Sequence, residues 1–127
     1  MISGRIDDII LVKLDNKKYV VEVKSTSMLE ATKEPNEGHI YQLHIYMHNT
    51  GIHNGMLVYL ERNTLKSKVF YVDYKPAIFE EAVNRLRALH TFLTKGILPH
   101  PEAKIEQSMN WQCQRCQYRQ ECDANKK

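Results

Sequence analysis

Apolar residues gather in two blocks near the N-terminus, RIDDIILVKL (5–14) and YVVEVKST (19–26), separated by the polar Asp15-Asn16-Lys17-Lys18. β-Branched runs of this length, bounded by turn-forming residues, predict two strands joined as an antiparallel hairpin. The period then changes. In HIYQLHIYMHNTG, Ile40, Leu43, Tyr46 and Met47 recur at helical spacing, and Gly51 stands where a helix C-cap is expected. GMLVYLER (55–62) and SKVFYVDY (67–74) predict a second hairpin around Asn63-Thr64-Leu65-Lys66. From Pro76, a residue suited to a first helical turn, Phe79, Ala82, Val83, Leu86, Leu89, Phe92 and Leu93 keep the 3.6-residue period until near Gly96. Pro99 and Pro101 break the chain there, and a polar tail follows over 102–127.

The order strand, strand, helix, strand, strand, helix, tail predicts an α/β fold with a central mixed sheet flanked by helices. Residues 1–98 are expected to form the core, and 99–127 a cysteine-containing tail packed on it. A chain of 127 residues fits this scale. It contains no apolar run near the roughly 20 residues that span a bilayer, and MISGRIDD lacks the apolar segment of a signal peptide, so no membrane contact and an intracellular location are expected. A formal charge of +3 permits contact with phosphates without requiring it.

Chemistry enters with Glu22 and Lys24. Side chains two apart in a strand share a face, so an acid and a base become neighbours inside a run of valines. A solvated strand face would account for that pair alone. If the first two strands pair across their turn, however, Asp7 approaches Glu22 and two carboxylates converge beside an ammonium. Convergent carboxylates repel unless a cation lies between them, and Mg²⁺ or Mn²⁺ suits oxygen donors. Such an ion polarises a phosphate oxygen and acidifies bound water, while Lys24 orients that water or stabilises transition-state charge. Phosphodiester hydrolysis is the chemistry implied. Asp8 alternates to the opposite face from Asp7, and Glu30, Glu34 and Glu37 read as surface charges.

With GRIDD (4–8), EVK (22–24) and QLHIY (42–46) in this order, the sequence resembles the PD-(D/E)xK nuclease superfamily, and within it the RecB-like branch. The resemblance implies a restriction-endonuclease-like core in which Asp7, Glu22 and the Val23 backbone carbonyl bind Mg²⁺ or Mn²⁺ and Lys24 is catalytic. QLHIY looks like that branch's Q-x-x-x-Y motif. Gln42 and Tyr46, four apart on one helix face, are positioned to contact DNA or brace the site; a solvated Gln42 and a core Tyr46 are the plainer alternative.

All three cysteines lie within WQCQRCQYRQEC: Cys113, Cys116 and Cys122. An odd, clustered count without a secretion signal favours a metal or cluster site over a disulfide framework. The tail is similar to that of the CRISPR-associated Cas-four exonucleases and of AddB-type helicase-nuclease subunits. The likeness implies three ligands of a [4Fe-4S] cluster, with zinc as the alternative. Only three residues precede Gly4, where such proteins carry further helices, a fourth cysteine and often a metal-binding histidine. The fourth ligand is therefore not identified; His100 is one candidate donor for zinc, and an empty site is the third outcome. Among the other histidines, His39, His44 and His48 share the short helix. His44 and His48 have chelating spacing but read as packed or solvated, and His90 reads as structural.

The reading is a divalent-metal-dependent deoxyribonuclease, exonucleolytic or cleaving single strands and flaps. Its expected partners are DNA with single strands or free ends and proteins of a CRISPR, repair or viral replication system. The alternative is a non-catalytic nucleic-acid-binding or adaptor domain that retains the nuclease fold.

Overall fold

The structure is a computed structural model that describes residues 4–105 and 109–124. Residues 1–3, which precede the Gly4 motif, and residues 106–108 and 125–127 of the expected tail lie outside the described residues. The chain divides into two compact units, Met1–Leu86 and Arg87–Lys127.

The first unit is built on a four-stranded sheet in the order β1 (Asp8–Val12), β2 (Lys17–Thr26), β3 (Asn54–Glu61), β4 (Ser67–Asp73). β1 and β2 form the expected antiparallel hairpin, as do β3 and β4. The turn of the first hairpin falls earlier than its polar residues imply. β2 already begins at Lys17, and Asn16 takes the left-handed conformation at φ 54°, which asparagine tolerates better than most side chains. β2 runs parallel to β3, a pairing that demands a crossover, and α1 (Glu37–Thr50) provides it.

Both ends of α1 are set locally. The Asn36 side chain accepts from the Gly38 N–H at 2.9 Å, and Gly51, at φ 67°, turns the chain out of the helix and donates to the His48 carbonyl. The register Val20↔Gly55, Glu22↔Leu57, Lys24↔Tyr59 aligns one row of side chains beneath this helix. Val20, Leu57 and Tyr59 from the sheet and Leu43, Tyr46 and Met47 from α1 close the core, with Phe70 and Val72 of β4 packed against it.

Gly55 is where helix and sheet come closest. A Cβ there would lie 2.7 Å from Leu43 Cδ2 and 2.9 Å from Met47 Sδ, both in fully buried side chains. Gly55→Ala is therefore expected to destabilise the protein by about 1–3 kcal/mol, the usual penalty for forcing a methyl into a packed core. Urea unfolding checks this, and an unchanged midpoint would mean that α1 withdraws at no cost.

α2 (Pro76–Lys95) follows the expected span, and Gly96 at φ 63° leaves it. Its apolar stripe is less buried than its period implies. Ala82 is its buried residue, whereas Leu86, Leu89 and Leu93 are exposed. In the second unit the described residues of the polar tail form three short helices, α3 (Glu102–Ile105), α4 (Asn110–Gln114) and α5 (Arg119–Ala124), for which no element was expected. Lys104 ties the first of these to the last by donating to Asp123 and to the Cys122 carbonyl, and the Asp123 bond raises its pKa. Helices of four to six residues bury too little to leave a periodic trace in sequence.

Candidate active site

The hairpin register fixes the first two acids. β1 pairs Asp8 with Val21, so the chain just before Asp8 runs on toward Glu22. Asp7 Oδ2 accepts the Val23 N–H at 2.8 Å, which holds this carboxylate at the edge of β2. A strand residue points its N–H and C=O toward the same neighbour. The Val23 carbonyl therefore shares the side on which its N–H meets Asp7, beyond the last β1–β2 pair.

Glu22 is 2% exposed. One of its oxygens, Oε1, accepts from Lys24 Nζ at 2.5 Å, as expected for side chains two apart on one face. The other, Oε2, is buried and has no hydrogen-bond partner among the described residues. A carboxylate oxygen left in that state costs free energy comparable to a lost hydrogen bond or more.

Lys24 reaches further, to Gln42 Oε1 at 2.8 Å. Because an ammonium only donates, the Gln42 amide must turn its oxygen to Lys24 and its nitrogen away. That nitrogen donates to the Tyr46 hydroxyl at 3.0 Å. Glu22, Lys24, Gln42 and Tyr46 thus form one hydrogen-bonded line from strand to helix. Gly4 abuts the end of it: a Cβ at this position would lie 2.9 Å from the Tyr46 ring. A cavity of about 690 Å³ opens against the same wall, with Gly4, Ile6, Gln42, Tyr46 and Arg85 in its lining.

Beside Lys24 stands a pair of side chains that the sequence reading did not single out together. Tyr59 is the β3 partner of Lys24 in the register. Its hydroxyl accepts the Asn36 N–H at 2.9 Å and lies 2.8 Å from His39 Nδ1. Burial, and then the Lys24 charge, lower the His39 pKa. The available signal was the spacing of His39, three residues before Gln42 and seven before Tyr46 on α1.

The remaining candidates separate from this site. Asp8 is exposed and accepts from the Ile9 N–H. His44 and His48 turn to different partners, the Ile40 carbonyl and the Tyr74 hydroxyl, and do not act as a chelating pair. His90 is exposed.

Metal binding divides the two candidate centres. Asp7, Glu22 and the Val23 carbonyl offer a hard-oxygen set, and the orphaned Glu22 Oε2 is an acceptor that a divalent cation would satisfy. These residues fit such an ion. Among the described residues, no group of three or more His, Cys, Asp and Glu side chains is arranged to hold a metal. The oxygen set needs only two carboxylates with its carbonyl, but a cluster needs its thiols together. Cys113 and Cys122 are half-buried, Cys116 is exposed, and all three are free. They are carried by α4, the turn after it and α5, and the expected [4Fe-4S] or zinc site is not assembled in this geometry.

The family model described as PD-(D/E)XK nuclease superfamily matches residues 1–123. No curated protein matches the chain. Among solved structures, the crystal structure of SSO0001 is similar, with a TM-score of 0.58 and 23% sequence identity over 91% of this chain. At that identity the likeness concerns the fold. The match covers 46% of the SSO0001 chain, so this chain spans about half its length.

Proposed function

The chain belongs to the PD-(D/E)XK nuclease superfamily, and we propose that it is a divalent-metal-dependent DNA nuclease of the RecB-like, Cas-four type, acting on single strands, flaps or free ends. The observation that carries this reading is Glu22 Oε2, a buried carboxylate oxygen with no hydrogen-bond partner among the described residues, in the strand whose next residue, Val23, is bonded through its N–H to the Asp7 carboxylate. Asp7, Glu22 and Val23 would hold Mg²⁺ or Mn²⁺, which supplies Lewis acidity and an acidified water when bound.

The chain's own residues do the rest. Lys24 carries a proton-bearing ammonium at the edge of the acid pair, where it hydrogen-bonds an attacking water or a phosphate oxygen. Gln42 holds that ammonium in place, and Tyr46, backed by Gly4, holds Gln42. The hydrogen bonds along this line keep its geometry fixed before substrate arrives, so little reorganisation is needed during reaction.

The test is incubation of the purified protein with oligonucleotides labelled at either end, with Mn²⁺, with Mg²⁺ and with EDTA. Cleavage with either metal and none with EDTA is expected, and the label retained reports the end attacked. DNA binding without cleavage under every metal condition would instead identify a non-catalytic nucleic-acid-binding domain.

A further inference from the structure

We infer that His39 contacts the substrate, its Nε2 holding a backbone phosphate of the bound DNA strand next to the phosphate undergoing attack. This inference rests on the nuclease reading and adds to it a binding residue that neither the carboxylates nor the Gln42 and Tyr46 pair includes.

His39, Gln42 and Tyr46 lie at i, i+3 and i+7 of α1 and share the side that faces the sheet row carrying Glu22 and Lys24. His39 is held from behind. Tyr59, fixed in β3 as the neighbour of Lys24, meets His39 Nδ1 at 2.8 Å, and the same hydroxyl receives the Asn36 N–H at 2.9 Å. With one lone pair of the hydroxyl occupied by Asn36, its single proton is available for Nδ1. In that arrangement the neutral imidazole carries its own proton on Nε2.

No described residue hydrogen-bonds Nε2, and the ring is only half-buried. A ring clamped at one nitrogen, with a donor left at the other, is prepared for an outside acceptor. The charge of the Lys24 ammonium is felt at His39, so that acceptor is favoured when it is anionic. Phosphate oxygens along a DNA strand have this chemistry. The lowered pKa agrees with a ring that is neutral before the strand binds.

The deciding experiment measures binding of a fluorescent single-stranded oligonucleotide with Ca²⁺ in place of Mn²⁺, for wild type, His39→Ala, His39→Gln and Tyr59→Phe, with thermal melting of each. His39→Ala is expected to weaken binding about tenfold, the loss of one hydrogen bond to a charged acceptor, without a matching change in melting. His39→Gln, which keeps a donor, recovers most of that loss, whereas Tyr59→Phe, which frees the ring, shows part of it. In cleavage assays the loss falls on KM and leaves kcat within about twofold. Equal binding by wild type and His39→Ala overturns the inference even when Mn²⁺-dependent cleavage is intact. Binding that depends on His39, in a protein that never cleaves, supports this contact and overturns the nuclease reading alone.

Discussion

Glu22→Gln is expected to lower Mn²⁺-dependent cleavage by on the order of 10³-fold or more while leaving the protein as stable as wild type, within about 1 kcal/mol. The two effects separate because the side chains are isosteric. Glutamine retains an oxygen for Lys24, so the bond now made at 2.5 Å survives. It replaces the buried, unpartnered Oε2 with an amide nitrogen that carries no charge and cannot bind a cation. If Glu22 were simply the buried half of a structural ion pair, activity would persist and stability would fall. Initial cleavage rates and urea midpoints measured on the same preparations distinguish these cases.

Lys24→Ala should reverse that pattern on the stability side. Removing the ammonium leaves Glu22, 2% exposed, without its cation, and an uncompensated buried charge costs about 3 kcal/mol. The Gln42 oxygen loses its donor as well. Cleavage should fall by on the order of 10²-fold, within the range for a positioned proton-bearing group. Mn²⁺ provides the discriminating readout. A cation that binds the folded state at Glu22 raises stability by mass action, and it binds more tightly once the competing ammonium is gone. The rise in melting temperature on adding Mn²⁺ should therefore be larger in Lys24→Ala than in wild type. An equal rise in both would place the ion away from Glu22.

The route from sequence to site was direct wherever the geometry is local. Alternation alone puts Glu22 and Lys24 on one strand face, and pairing across a short turn brings Asp7 toward them, as the register has it. Four-residue spacing puts Gln42 and Tyr46 on one helix face, and the amide chemistry then links Lys24 to Tyr46. The PD-(D/E)xK resemblance stated from GRIDD and EVK agrees with the family match over residues 1–123.

Features that depend on distant packing were not legible. His39 and Tyr59 are 20 residues apart and meet only because α1 crosses back over β3. In sequence Tyr59 is one more aromatic residue in the strand MLVYLE, and nothing there marks its hydroxyl as a clamp. That Glu22 Oε2 is buried with no hydrogen-bond partner among the described residues is equally invisible, since both depend on the folded surroundings of the atom. The α2 stripe shows the opposite limit: its period gave the helix correctly, yet Leu89 and Leu93 are exposed because periodicity fixes a face and not what covers it. Three cysteines within ten residues likewise do not fix the direction of their thiols, which short helices here keep out of a common site.

The role proposed for Glu22 Oε2 is that of an acceptor for a divalent cation. Mn²⁺ titration followed by electron paramagnetic resonance tests it without relying on turnover, comparing wild type with Glu22→Gln. Saturable Mn²⁺ binding is expected in wild type, weakened by at least about 100-fold in Glu22→Gln. Equal Mn²⁺ affinity in the two proteins, or none in wild type, would contradict it.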